Sequence, residues 1–386
     1  MTNSIEKFSD VGSLLRKECP KHPIYCIYPQ VYQDIAKDFL SGFPGRVLYA
    51  VKANADPIIL GLLIDAGVRH FDCASLPEIE LLDSIDPDAK KYFMTPVRIR
   101  GAAATAQEKH GVRHFVVDHL SGLSQLLQEI EPASSVIFAR MAVHHESAME
   151  DLSLRFGAQP EEMPLLLQSI RDSGAEPALA FNVGSSVTDP DAYRHSMSVT
   201  KSVLEQLPFR LRLIDVGGGY PKSYPGFIVP GLDEYFKAIS ECVATLPLAE
   251  NAEVLGEPGR ALAAPGMSAV VEVLLRKDNR LYLNDGMFGI FWMLRIDGPD
   301  RFPVRTYRNG KPLIGETMEF QINGPTCDST DTLPGPVPLP MDIRPGDHLE
   351  FGNIGAYSLS GRTDYNGFYS NRIVTITSPT ERPPAV

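Results

Sequence analysis

The chain has 386 residues, 44% hydrophobic and 22% charged, with 31 Gly and 32 Pro, which excludes a disordered or fibrous protein and leaves room for a large domain plus a smaller one. A formal net charge of −12 excludes a surface that tracks nucleic-acid phosphates, since that affinity comes from clustered Lys and Arg, but suits a cationic small-molecule ligand. No apolar run approaches the ~20 residues that span a bilayer, and the start, MTNSIEKFSDVGSLLRKECP, lacks the layout of a signal peptide. Cys19, Cys26, Cys73, Cys242 and Cys327 form no CxxC pair, so neither a metal site nor a disulfide framework is expected, and a soluble, cytoplasmic protein is.

Between residues 46 and 257, short apolar runs alternate with stretches of helical periodicity, the pattern of parallel βα units. The runs are RVLYAV (46–51), HFDCA (70–74), KYFM (91–94), HFVVD (114–118), SVIFARM (135–141), ALAFNV (178–183), LRLIDV (211–216) and AEVLGE (252–257). Eight such runs predict an α/β fold closed into a (β/α)8 TIM barrel, placed at residues 26–265. PIILGLLIDAG, LSGLSQLLQEI and LDEYFKAISECVATL space their apolar residues as helices on a barrel's outer face do. Beyond residue 265, SAVVEVLL, RLYLND, GETMEFQING, DHLEFGNIG and NRIVTIT alternate between turn residues, predicting an all-β domain over 266–386 with part of 1–25. LPGPVPLP (333–340) reads as a loop inside that domain.

In a parallel barrel, reactive groups gather at the C-terminal ends of the strands. Here strand one runs into Lys52, strand two carries Asp72 and strand five Arg140. Strand six ends in Asn182 and Ser185, strand seven runs into Gly217, Gly218 and Gly219, and strand eight ends in Glu257. Lys52 emerges from VLYAV, where desolvation disfavours the ammonium and suits an imine-forming lysine; taken alone, such a lysine more commonly snorkels to solvent. The triple glycine lets backbone N–H groups approach an anion, aided by the start of a following helix, or is simply a flexible turn. Ser185 and Arg260 would add a hydroxyl and a cation to the same phosphate.

Glu257, in GEPGR, discriminates more. A carboxylate against a pyridine nitrogen favours the pyridinium and makes the ring an electron sink for a carbanion; the other reading is an ion pair with Arg260. Cys327, in GPTCDSTD, could return a proton to that carbanion, although a lone Cys is commonly packing. Tyr357, in GAY, could donate to the phosphate or be a turn tyrosine without such a role.

YAVKAN (49–54), FDCASLPEIELL (71–82), LRFG (154–157), FNVGS (181–185), DVGGGYP (215–221), GEPGR (256–260), NDGMFG (284–289), GPTCDSTD (324–331), FGNIGAY (351–357) and YNGF (365–368) follow one another along nearly the whole chain. In this order and spacing they resemble the fold-type III pyridoxal 5'-phosphate (PLP) decarboxylases, ornithine- and lysine-decarboxylase-like enzymes with an alanine-racemase-like barrel. The resemblance implies that Lys52 carries PLP as a Schiff base and that Glu257 pairs with the pyridine nitrogen. It implies that Ser185, Gly217 to Gly219, Arg260 and Tyr357 hold the phosphate, with Gly259 in the cofactor-binding set and Asp72, Glu78 and Arg140 around Lys52 and the ring. Cys327 would be the proton donor, and Asp328 and Asp297 would contact the substrate's distal amine. Cys327 and Asp328 would reach the site from the partner subunit, which implies a head-to-tail homodimer.

FNVGS departs from the family pattern, placing Asn182 where a histidine stacks on the cofactor's face; an amide stacks poorly and cannot carry the imidazole's charge. Ile296 replaces a usual aromatic, and Arg295 could face a substrate carboxylate. The expected activity is PLP-dependent decarboxylation of a basic L-amino acid such as ornithine or lysine to the amine and carbon dioxide, as in polyamine biosynthesis. Rival outcomes are racemisation, oxidative deamination, or decarboxylation of a conjugated or diacidic amino acid. A non-catalytic regulatory homologue is the remaining reading, against which Lys52, Glu257 and Cys327 stand together.

Overall fold

The computed structural model describes residues 5–294 and 302–378. Contacts cluster into two compact units: residues 35–222 with 229–261, and the described residues among 1–34, 223–228 and 262–386. Among the described residues no helix is long and apolar enough to cross a membrane.

The first unit is a closed parallel barrel of Arg46–Ala50, His70–Cys73, Lys90–Phe93, His114–Val117, Val136–Met141, Glu176–Phe181, Leu213–Asp215 and Glu253–Gly256. The eighth strand closes on the first, Leu255 opposite Arg46 and Gly256 opposite Val47. Inside, Leu48, Tyr92, Val116, Phe138, Ala178, Ala180 and Leu255 pack as one buried cluster, large side chains against small ones, so the barrel is a filled core rather than a pore. Strand-to-helix turns are fixed by short polar caps. The Asp56 carboxylate accepts the Ile58 N–H at 2.9 Å ahead of helix Pro57–Asp65, and Ser75 Oγ accepts the Glu78 N–H at 3.4 Å ahead of Leu76–Ile85.

The second unit is built on a ten-stranded sheet whose main path runs Lys7–Phe8, Ile373–Ile376, Ile24–Ile27, Met267–Lys277, Arg280–Leu283, Thr317–Asn323, Thr332–Pro340. Ile24–Ile27 is buried along its length and pairs on both sides, with Met267–Lys277 and Ile373–Ile376. Contacts therefore place residues 26–34 with this sheet, although the sequence pattern puts them at the start of the barrel. The expected loop at 333–340 is a strand, antiparallel to Thr317–Asn323. Its prolines fall at alternate positions, 334, 336, 338 and 340, so their missing N–H groups share one side of the chain, and the strand ends the sheet's path where that side needs no partner. Leu333, Val337 and Leu339 fill the core between them.

Glu350, fully buried on His348–Phe351, organises the middle of this sheet. It accepts hydrogen bonds from Tyr28 Oη (2.6 Å), Ser268 Oγ (2.8 Å), Tyr307 Oη (3.0 Å) and Arg305 Nη2 (2.9 Å). Removing one partner of a buried ion pair leaves an uncompensated charge. Glu350→Ala is expected to lower stability by about 3–5 kcal/mol, and Glu350→Gln by less, read from urea midpoints.

Candidate active site

The first barrel strand ends in a single 3-10 turn, Val51–Ala53, that turns Lys52 out of the wall with its side chain about half exposed. Register sets Ala50 beside Asp72 on the neighbouring strand, and Lys52 Nζ donates to Asp72 Oδ2 at 3.1 Å. Asp72 is buried, and its Oδ1 has no hydrogen-bond partner among the described residues. One helical turn on, the Glu78 carboxylate accepts the Ala74 N–H at 2.6 Å. Burial pushes Glu78 up to about 7, with the Ala74 N–H opposing and the Asp72 charge adding to the rise.

Three further strand ends face this group. Arg140 lies on the fifth strand with its guanidinium 5.6 Å from the ring centre of Phe156, in the LRFG segment, whose Gly157 N–H is held by Asp118 at 3.1 Å. At the end of the seventh strand, Asp215 Oδ1 accepts the Gly217 N–H at 2.8 Å while its Oδ2, buried, has no hydrogen-bond partner among the described residues. Glu257 follows the eighth strand, its N–H bonded to Gly217 O at 2.8 Å. Burial, then Asp215, then Asp72 drive the Glu257 carboxyl well above the usual carboxylate range, with Lys52 and Arg140 opposing. Burial likewise raises Asp215, so the two acids hold protons that exposed carboxyls would have released.

The glycine turn packs against both neighbours. Gly217 and Gly219 adopt left-handed φ of 70° and 99°, and a Cβ on Gly218 would lie 2.7 Å from Glu257 O. Tyr193 Oη fixes the turn from behind by donating to Gly218 O at 2.7 Å. No hydrogen-bond partner for the Gly218 or Gly219 N–H is found among the described residues. The helix that the sequence reading allows directly after the turn is absent there; the next begins at Leu232, so the turn offers backbone amides without a helix end. Ser185 opens the strand Ser185–Val187, paired with Ala148–Glu150, and Gly259 and Arg260 are buried in the turn after Glu257. Asn182 Oδ1 accepts the Gly184 N–H at 3.0 Å, so its amide serves its own turn.

Cys327, Asp328 and Tyr357 belong to the second unit. Cys327 is exposed, its Sγ 3.8 Å from Asn366 Oδ1 in the YNGF segment. Asp328 Oδ1 accepts the Thr330 N–H and Oγ1–H, at 2.8 and 2.7 Å. Buried Asp331 ties this loop to NDGMFG, accepting the Met287 N–H at 2.7 Å and the Thr326 hydroxyl at 2.7 Å. Tyr357 holds a left-handed φ of 59°, a conformation that a non-glycine residue adopts only when its surroundings impose it. Asp297, with Arg295 and Ile296, lies outside the described residues.

Residues 30–264 match the family model described as "Pyridoxal-dependent decarboxylase, pyridoxal binding domain". The chain belongs to this family. A decarboxylase of Aspergillus flavus is 31% identical over 347 residues, covering 85% of this chain and 79% of the relative. A lysine/ornithine decarboxylase of Selenomonas ruminantium is 30% identical over 333 residues, covering 84% and 81%. The solved lysine/ornithine decarboxylase of Vibrio vulnificus, complexed with putrescine, superposes with a TM-score of 0.79 at 27% identity, covering 92% of this chain and 94% of that one. The chain is thus a pyridoxal-dependent decarboxylase, with the barrel and β domain expected of that fold, and its cofactor is pyridoxal phosphate.

The barrel mouth fits that group. Orphaned carboxylate oxygens on Asp72 and Asp215, and a Glu257 carboxyl short of positive charge, match a protonated ring nitrogen, and the amides of Gly218 and Gly219 match a phosphate. Sequence reasoning gave no role to Asp215, although an acid two residues ahead of a glycine at a strand end is the signal of a side chain that captures a turn N–H.

Because Glu78 titrates near 7 when folded and near 4.5 when unfolded, the folded chain binds more protons between those values, and its contribution to stability falls as pH rises through that window. In the cofactor-free chain, Glu78→Gln is therefore expected to gain stability relative to wild type from pH 4.5 to 7, followed by urea midpoints at stepped pH.

Proposed function

We propose that this chain decarboxylates a basic L-amino acid, ornithine or lysine in the first instance, to the corresponding amine. The carrying observation is Lys52 Nζ held 3.1 Å from buried Asp72 in a mouth that also holds Glu257 and the glycine turn. The relatives named above, lysine/ornithine decarboxylases, support the substrate class.

Lys52 is the point of covalent attachment, oriented by Asp72. The Gly218 and Gly219 amides, Ser185, Arg260 and Tyr357 hold the phosphate, with Gly217 and Gly259 shaping the turns and Arg140 beside the ring. Bound pyridoxal phosphate supplies an electron sink for the bond electrons that carbon dioxide leaves behind. Glu257 would hold a proton on the ring nitrogen, its own carboxyl passing that proton over and remaining as the carboxylate partner. The Cys327 thiol returns a proton to Cα, and Asp328, with Asp297, draws the distal ammonium into register. Cys327 and Asp328 act in the partner's site, in a head-to-tail homodimer; exposure of Cys327 is compatible with that role. Five free thiols and the absence of disulfides among the described residues suit a cytoplasmic setting.

Purified protein is expected to release carbon dioxide from ornithine or lysine, with a product lighter than the substrate by one carbon dioxide. Lys52→Ala should abolish both release and the visible absorption of bound cofactor, and Glu257→Gln should lower kcat by about 10²–10³. Retention of the carboxyl carbon for ornithine, lysine, arginine and diaminopimelate alike would overturn the assignment. Shared sites add a sharper expectation. Mixing inactive Lys52→Ala and Cys327→Ala chains should restore about a quarter of wild-type activity, because half the dimers are mixed and each carries one intact site.

A further inference from the structure

The N-terminal ends of the same barrel strands enclose a second cavity, of about 540 Å³, that the decarboxylase reading does not use. Arg46, His70, Lys90, Tyr92, Arg113 and His114 line it, and no carboxylate does. Its floor is ordered by hydrogen bonds. Arg46 Nη1 donates to Tyr92 Oη at 3.0 Å, and Tyr92 Oη lies 3.2 Å from His70 Nδ1. The His114 ring stacks on Tyr92 with centroids 4.1 Å apart. With its hydroxyl oxygen accepting from Arg46, Tyr92 donates to His70 Nδ1, which leaves the His70 proton on Nε2.

A polar ring that only closes the bottom of a barrel neutralises its charges, and part of this one does. Arg46 pairs with Glu253, and buried Lys91 pairs with Asp83, which also binds His110 Nδ1 at 2.5 Å. Lys90 and Arg113 break the pattern: both are exposed at the rim, and neither has an acidic partner among the described residues. They do so in a chain with 48 acidic residues against 36 Lys and Arg, where acidic partners are plentiful. Burial, with Arg46 and Lys90, lowers His70 to about 4, and burial, with Arg46 and His70, lowers His114 to about 4, so both imidazoles are neutral donors at pH 7.

We propose that this N-terminal mouth of the barrel binds a compact, multivalent phosphoanion, with Lys90 and Arg113 matching its charge and the His70 and His114 imidazoles donating to its oxygens. Two unneutralised cations favour a dianion or higher over a monoanion, and a concave, small-volume pocket in an acidic protein favours a small phosphate species over a nucleic acid. The site is separate from Lys52, which lies roughly 20 Å away along the first strand.

The test uses the holoenzyme, so that the cofactor already fills the phosphate grip of the active site. Calorimetric titration with inorganic pyrophosphate, orthophosphate and sulfate at constant ionic strength is expected to show 1:1 pyrophosphate binding, at least about tenfold tighter than sulfate. Lys90→Ala/Arg113→Ala, which removes two exposed side chains, should weaken pyrophosphate at least about tenfold, whereas Lys201→Ala on an exposed helix face should not change it. The ring-nitrogen resonances of His70 and His114 should shift on binding. Absence of pyrophosphate binding to the holoenzyme, or binding that the double substitution leaves unchanged, would overturn the proposal.

Discussion

Burial drives the carboxyls of Asp215 and Glu257 upward, and the Asp72 charge adds to the rise in both, so these acids at the barrel mouth hold protons more tightly than exposed acids do. Lys52 and Arg140 oppose the rise without cancelling it. Closing the barrel creates this arrangement. Strands two, seven and eight are far apart in sequence, yet closure brings their C-terminal ends to one rim, where low polarity amplifies every like-charge contact. A protonated heteroaromatic nitrogen set against Glu257 would add to the positive charge that Lys52 and Arg140 already bring to this carboxyl.

The geometry of that rim rests on one repeated device. A short side chain at a strand end captures the backbone N–H two residues later: Asp56 that of Ile58, Asn182 that of Gly184, and Asp215 that of Gly217. Each capture stiffens a turn, which fixes the direction in which its neighbours project. At Asn182 the consequence reaches the chemistry. Its amide oxygen is committed to the turn, so the side chain that stands where the resemblance expects a histidine is anchored by backbone. The departure from the family's histidine is thus coupled to the local fold, and an imidazole there would have to replace both the turn bond and the amide's position.

Much of this was legible in the residue order because strands buried on both faces read as largely apolar runs, as Arg46–Ala50, His114–Val117 and Glu176–Phe181 do. Lys52, Glu257 and the glycines stood out because each interrupts such a run at its C-terminal end. The strand at Thr332–Pro340 was hidden by its prolines, which mark a loop until alternate spacing and an edge position are known together. Ile24–Ile27 was hidden for another reason: its partners lie at 267–270 and 373–375, and no local pattern reports such distant pairing. Asp215 sat within a recognised motif, where the glycines drew the attention that its carboxylate shares.

The two ends of the barrel also differ in a way that the strands themselves enforce. Arg46 begins the first strand, His70 the second, Lys90 the third and His114 the fourth, so the first four strands each carry a basic or imidazole group at their start, at the end opposite Asp72, Asp215 and Glu257. Between the ends lies the packed layer of Leu48, Val116, Phe138, Ala178 and Leu255, which offers no polar path through the barrel axis. Charge at one end still acts on the other, since a medium of low polarity screens weakly and the Asp215 charge adds to the rise that burial gives Tyr92; what the packed layer denies is direct pairing, because the separation exceeds the reach of a hydrogen bond. Each end must find its counter-charge locally. At the C-terminal rim Lys52 and Arg140 meet part of that need; at the N-terminal rim Glu253 and Asp83 meet it for Arg46 and Lys91 but leave Lys90 and Arg113 facing solvent. The packed layer that keeps the acids of the C-terminal rim out of hydrogen-bonding reach leaves Lys90 and Arg113 facing solvent at the other.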